Sequence, residues 1–311
     1  MGAYPRWIKE GSVYSITQRT VDRMFLFLPS PVLRNIVGAC AARALARFPV
    51  RLYWLDVNIN HEHMGIGPMD GSAESLTNVT RFKQLYHRLL AEKINRLLGR
   101  EGSIFSSASR DTECLDDEAA AQQLFYAMTN PVKDGLVERA AHWQGFSSYT
   151  ALALGIDEAF TYIDRTAWHK TGKKKGKEKE PEAFTKSIHL HFTPLPGMAH
   201  LSEGQRQSMI RRHVRDLEQH FRDLREQQGL TAMSKARLEK LDYRDRPTSS
   251  PKKTAKPLCH ASTAEAALAY KDSFKIFLDA YRTASASYRL GCADVVFPSG
   301  SFKPPLIEAA A

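Results

Sequence analysis

Between residues 11 and 20 (GSVYSITQRT) apolar and polar residues alternate, which predicts a strand. From 29 to 48 the period lengthens. Leu33, Ile36, Val37, Cys40, Ala44 and Leu45 recur at helical spacing, behind a capping Ser30 and with Pro31 near the first turn. Residues 50–57 and 64–67 are two short apolar runs around a polar, Asn-containing turn and read as adjacent strands. A long helix is expected over 75–98, with Leu76, Val79, Phe82, Leu85, Leu89, Ile94 and Leu97 on one side and Gly99 and Gly102 closing it. Residues 102–114 form a weaker candidate strand. A helix over 118–129 follows, capped by Asp116 or Asp117 and closed by Asn130-Pro131. The order strand, helix, strand, strand, helix, strand predicts an α+β fold, a ferredoxin-like split β-α-β sheet with helices on one face. The helix after it is free to lie across the sheet.

Beyond residue 150 the pattern thins. A charge run at 170–180 (KTGKKKGKEKE) and a basic stretch at 247–257 (PTSSPKKTAKP) read as loop or linker. Residues 202–228 and 264–287 read as helices, the first rich in arginine (Arg206, Arg211, Arg212, Arg215, Arg222, Arg225), and 297–305 as an irregular tail. The expected organisation is therefore a domain over 1–150 and a basic, mainly helical extension over 151–311, with an accessory DNA-binding or packing role.

Charge narrows the partner. The 311 residues carry a net +10, which suits a polyanion, nucleic acid before an acidic membrane surface. Cys40, Cys114, Cys259 and Cys292 are scattered with no C-x-x-C pair, so a disulfide framework is not expected and a reducing cytoplasm fits. There is no signal-peptide core, and no apolar run approaches the roughly 20 residues that span a bilayer, so no membrane partner is expected.

Two places carry candidate chemistry. On a strand, side chains alternate, so His61 and His63 share a face and Glu62 points the other way. Two such imidazoles can hold a divalent cation, although a solvated strand face is the commoner origin of a His-x-His pair. The helical zinc-protease motif is excluded because position 65 is Gly65. Tyr126 and Asn130 lie four apart on one helical face, a phenol able to act as nucleophile beside an amide oxygen able to meet a hard cation; Phe125 and Tyr126 as plain core aromatics is the alternative. A second literal pair, His189 and His191, is set aside, since no Tyr-x-x-x-Asn or Tyr-x-x-x-Gln follows it.

Taken together, N-x-N-H-x-H at 58–63, Y-A-M-T-N-P-V-K-D-G-L-V at 126–137, and Trp143 followed by F-S-S-Y at 146–149 resemble the single-tyrosine HUH transposases, nearest the REP-associated tyrosine transposase branch. That branch reads Y-I-x-x-N-P-V-R-A-G-L-V and then W-S-S-Y. Thr17-Gln18-Arg19 resembles its opening T-N-R, and the likeness covers about residues 10–150. The resemblance implies Mg or Mn on His61, His63 and Asn130, with Tyr126 as the nucleophile on a single-stranded or hairpin DNA phosphate. It also implies a 5′-phosphotyrosine intermediate that needs no nucleotide cofactor, a homodimer or a reset for two cleavages, and a cytoplasmic, nucleoid-associated protein. Arg19, Arg23, Lys83, Arg88, Arg96, Arg110 and Lys133 are the expected DNA contacts. Glu62 departs from the family, which has a hydrophobic residue there; on the core face its charge requires a partner. The alternatives are a domesticated, non-cleaving protein that binds hairpin or repeat DNA, a replication or conjugation initiator of the same chemistry, and a metal-dependent hydrolase that acts without nucleic acid. No phosphate-binding G-x-x-x-x-G-K-[ST] loop accompanies the initiator reading.

Overall fold

The computed structural model describes residues 4–107, 109–172, 179–248, 257–292 and 294–304. The two expected linkers fall largely, and the end of the tail wholly, outside these residues. The chain runs β1 (Val13–Arg19), α1 (Pro31–Arg47), β2 (Arg51–Val57), β3 (His61–Gly67), α2 (Ala73–Leu98), β4 (Arg110–Cys114) and α3 (Asp117–Lys133). The sheet order is β2-β3-β1-β4, every neighbour antiparallel, and β7 (Cys259–His260) adds a fifth strand parallel to β4. The fold is thus mixed α/β around a five-stranded mixed sheet. The helices begin where the capping residues stand: Ser30 accepts from Leu33 N, Ser72 from Ser75 N, and Asp116 from Ala119 N.

Two expectations at element ends are corrected. Of residues 102–114 only the last five form a strand; Phe105 makes an isolated bridge to Thr20, and the polar stretch between has no apolar face to bury. Helix α3 does not close at Asn130-Pro131 but runs to Lys133. Pro131 removes one backbone hydrogen bond, but Val132 beyond it is fully buried, and Gly135 at φ +68° supplies the left-handed turn that ends the helix. Gly135 N then bonds Val132 O (3.0 Å) and Leu136 N bonds Pro131 O (2.9 Å).

α1 and α2 cover one face of the sheet, and α3, the helix after the split β-α-β unit, lies across the other. Tyr14, Ile16, Leu52, Leu55, Met64 and Ile66 face α1 and α2, where Leu33, Val37, Phe82, Tyr86 and Leu90 complete the main core. On the other face Val13, Tyr53 and Trp54 meet α3 through Ala120, Leu124 and Met128. A bulge in β2 between Leu52 and Trp54 turns two successive aromatics to that side. Amphipathic helices cover whichever face of the sheet is apolar, and here both are.

The second half of the chain packs on this body. A hairpin of β5 (Ala159–Ile163) and β6 (Thr185–His189) lies on α1, where Gly38 admits the Phe160 ring; a single turn α5 (Arg165–Ala167) follows β5. Helix α6 (Glu203–Gln227) packs on α3 and on α4 (Tyr149–Leu154) through Ile210 and Val214. α7 (Lys235–Leu238) follows, and α8 (Ala264–Arg289) packs on the N-terminal segment through Tyr270, Phe274 and Phe277 against Trp7. Among the described residues no helix is long and apolar enough to cross a membrane.

Gly65, two residues past His63, lies under Trp54, and a Cβ there would stand 2.1 Å from the indole. Gly65→Ala is expected to cost about 1–3 kcal/mol by overpacking, read as a lowered urea midpoint at unchanged slope. An unchanged midpoint would show that Trp54 can retreat freely.

Candidate active site

His61 and His63 leave the first turn of β3 on the face covered by α3, opposite Arg19 and Thr17 of β1 in register. Asn130 points down from α3 between them. Its Nδ2 lies 3.0 Å from His61 Nε2 and 2.7 Å from His63 Nε2. The two rings stand edge to face with centroids 5.0 Å apart. The far nitrogens are also held: His61 Nδ1 meets Asn60 Oδ1 at 2.7 Å and His63 Nδ1 meets Thr17 Oγ1 at 3.1 Å. An amide oxygen only accepts, so His61 carries its proton on Nδ1 and its lone pair on Nε2, facing Asn130.

Electrostatics reinforce this. Burial, with Arg19 and Lys133 nearby, pulls His61 down to about 4. Burial pulls His63 well below its ordinary value, with help from His61, Lys133 and Arg19. Both are therefore neutral imidazoles at pH 7, the form that ligates metals. Among the described residues no three His, Cys, Asp or Glu side chains gather as a metal cluster. The donor set here is instead two imidazoles and one amide, and rotating the Asn130 amide turns its oxygen towards the two lone pairs. Convergent, neutral, outer-shell-bonded imidazoles fit a divalent cation.

One turn back on α3, Tyr126 sets its ring edge to face with His63, centroids 5.3 Å apart. Lys133 donates from Nζ to Tyr126 Oη at 3.1 Å, and Nζ also lies 4.5 Å from the ring centroid. Tyr126, Asn130 and Lys133 are spaced by four and three residues and share one helical stripe. Asn58 Nδ2 bonds both Asn130 Oδ1 (3.3 Å) and Asp134 Oδ2 (2.8 Å), tying the end of α3 to the turn before His61. Leu136 then enters a small core with Phe25, Ile59 and Trp143. Tyr126, Asn130, Lys133, Asp134, Gly135 and Leu136 of the 126–137 motif thus each have a physical task at or just beyond the end of α3.

The 143–149 stretch holds the outer edge of β2. Val57 N bonds Phe146 O and Ser148 N bonds Leu55 O, while Trp143 Nε1 donates to Val57 O. Asp56 accepts from Ser147 Oγ (2.5 Å) and Ser148 Oγ (2.8 Å); its burial pushes the carboxyl up to about 6. Glu62, fully buried on the opposite face from the histidines, has the required partners in Tyr86 Oη (2.9 Å) and His87 Nε2 (2.5 Å).

The structure divides the expected DNA contacts. Arg19, across from His61, and Lys133 are exposed at the site, and Arg23 lies in the turn whose carbonyl accepts from Asn60 Nδ2. Lys83 is corrected: it is 2% exposed and paired with Asp111, so it is unavailable to a phosphate. Arg88 and Arg96 are exposed on α2, on the sheet face away from the histidines, and Arg96 faces Glu92 at 3.4 Å. The backbone of Arg110 pairs with Thr17; its side chain lies outside the described residues. On α6, Arg225 donates to Val132 O and Glu138, and Arg211 to Ala153 O, so these arginines cap neighbouring helices. His189 pairs with Asp157 on the separate hairpin, away from the site. Thr17, Asn58 and Asn60 went unassigned in the sequence reading. Their signal in the sequence was their place in the Thr17-Gln18-Arg19 and N-x-N-H-x-H motifs.

No protein-family model matches the chain, and no curated protein matches it. Among solved structures, the REP-associated tyrosine transposase bound to a REP hairpin is similar, with 16% identity and a TM-score of 0.40 over 50% of this chain and 86% of that one. A likeness at that level carries no assignment of family, and the functional reading rests on the site itself.

An unfolded imidazole titrates near 6.5, whereas folded His61 is held to about 4. The resulting stabilisation is complete above the unfolded value and is lost as pH falls towards the folded one. Between about pH 7 and pH 4.5, wild type is expected to lose about 2 kcal/mol more unfolding free energy than His61→Gln. The opposite slope from Asp56 is common to both proteins and drops out of the difference. Equal losses would overturn the neutral, buried assignment.

Proposed function

We propose that the chain is a metal-dependent, single-tyrosine DNA strand transferase acting on single-stranded or hairpin DNA. The reading rests on one observation. His61 Nε2 and His63 Nε2 converge on Asn130, and on the same helical stripe Tyr126 carries a phenol oxygen already in the grip of Lys133. The sheet order β2-β3-β1-β4, with α1 and α2 as crossovers, is compatible with the ferredoxin-like frame that this reading expects. The unit over 1–150 is taken as catalytic, and 151–311 as its brace and accessory surface.

In this proposal His61, His63 and the Asn130 oxygen hold Mg or Mn, which when bound polarises the scissile phosphate. Tyr126 Oη attacks phosphorus in line; the phosphorus–O3′ bond breaks as the Oη–phosphorus bond forms, leaving a 5′-phosphotyrosine and a free 3′-OH. Lys133 supplies a positive donor at Oη as the phenol passes its proton to water, the departing O3′ takes one proton from water, and Arg19 offers a second cation beside the phosphate. The phosphodiester energy stays in the covalent bond, so rejoining needs no nucleotide cofactor. Glu62 faces away from the phosphate and is fully partnered, so it does not impair the site. One tyrosine makes one cut, and paired cuts call for a homodimer or successive turnovers. A nucleoid-associated, cytoplasmic setting belongs to the same proposal.

The test is incubation of purified protein with labelled hairpin DNA from the flanks of its own gene, with Mg or Mn, followed by a denaturing gel. A covalent adduct is expected with wild type and none with Tyr126→Phe. His61→Ala and Asn130→Ala should lower adduct formation about a hundredfold and weaken Mn binding in the DNA-free protein about 10–100-fold. Metal-independent retention of DNA with no adduct would move the assignment to a domesticated, non-cleaving binder.

A further inference from the structure

After α6 the chain doubles back as a strap over residues 229–246, which includes α7. One end is fixed where Met233 N bonds Gly135 O (2.7 Å), at the end of the helix carrying Tyr126, Asn130 and Lys133. The other is fixed where Phe25 N bonds Asp245 O (3.0 Å) and Arg246 meets Asp22 at 3.5 Å. That second anchor is also part of the site's rim, because Thr20 N bonds Asn60 O (2.9 Å) and Asn60 holds His61. Between the anchors Met233, Leu238 and Leu241 turn inward onto Phe25, Ile59, Leu136 and Trp143. Met233, Leu238 and Leu241 thus dock the strap beside the site.

Its charges are arranged differently. Five basic residues, Lys235, Arg237, Lys240, Arg244 and Arg246, are exposed. The acidic residues of the strap are turned to local use. Asp242 Oδ1 accepts from Arg244 N (2.8 Å), Asp245 Oδ2 accepts from Asp242 N (2.8 Å), and Glu239 faces Lys235 at 3.8 Å. Arg246 is taken by Asp22. Arg237, Lys240 and Arg244 are left without an ion pair among the described residues, on a segment fastened at its two ends to the end of α3 and to the turn beside the site. The turn that anchors the strap is strained, with Asp22 at φ +49° and Arg23 at φ +58°, a conformation costing about 1 kcal/mol or more per residue and kept only where its surroundings enforce it. The sequence runs on from the strap through Lys252, Lys253 and Lys256.

We propose that the strap is the second wall of a path for single-stranded DNA into the site, holding backbone phosphates through Arg237, Lys240 and Arg244. Phosphate contacts of this kind position a strand without reading its sequence, so the strap adds grip and direction while the choice of hairpin lies elsewhere. The inference rests on the proposed DNA chemistry but concerns residues outside it.

The experiment uses the full chain carrying Tyr126→Phe, without added metal, and a fluorescent hairpin with a single-stranded flank, read by anisotropy across a salt series. Arg237→Gln/Lys240→Gln/Arg244→Gln is expected to bind about tenfold or more weakly at 0.1 M salt, and its log K against log salt to be shallower by about 2, at about 0.7 per phosphate released from a single strand. Lys271→Gln/Lys275→Gln, on the exposed side of α8, should match the parent. Arg237→Lys/Arg244→Lys should keep the parent's slope, which separates lost charge from lost folding. Parent-like binding and slope in the triple variant would overturn the strap and leave the proposed cleavage chemistry standing. A parent that binds no DNA would overturn both. In an otherwise wild-type chain the triple variant should still form the Tyr126 adduct at saturating DNA.

Discussion

The contact between Asn130 and the two imidazoles holds helix and sheet together at the site. Two nitrogen lone pairs are buried side by side, and neither imidazole can be charged at neutral pH without losing solvation it cannot recover. The amide between them satisfies both. That arrangement requires α3 to cross the sheet close to β3, which in turn requires a small residue under Trp54 and a helix that continues past a proline. Tyr126, Lys133 and the cap at Gly135 inherit their positions from the same helix.

Glu62 illustrates how the two faces of one strand are kept separate. Its neighbours on either side are the site histidines, yet its carboxylate lies in the opposite layer, bonded to Tyr86 and His87 of α2. A buried carboxylate without donors would cost several kcal/mol, so the pair on α2 is the condition for tolerating an acid at this position. The same accounting explains Lys83, whose ammonium is buried against Asp111 instead of facing a polyanion. Charge sign in the sequence says little about which charges reach solvent.

The second half of the chain acts on the first through helix ends. Arg225 of α6 donates to Val132 O at the end of α3, and Glu218 accepts from Ala140 N just beyond it. The strap then fastens to Gly135. The helix bearing the candidate nucleophile is thus closed by residues from sequence positions some eighty to a hundred further on, which ties the geometry of the site to the extension.

Local pattern by itself determined much of this protein. Period-two and period-3.6 spacing marked β1, α1 and α2, because an element one face of which is buried must repeat its apolar residues at its own period, while apolar runs around a polar turn marked β2 and β3 and capping residues marked α3. The same alternation put His61 and His63 on one face, and four-residue spacing put Tyr126 with Asn130. Only the tertiary structure decided what those faces meet. β7 is two residues long and has no pattern to detect; it exists because the edge of β4 is open to it. The roles of Thr17, Asn58 and Asn60, the burial of Lys83, the partners of Glu62 and the seat of the strap each depend on residues distant in sequence. Hydrogen-bond satisfaction and desolvation are properties of the packed assembly, and no reading of local periodicity contains them.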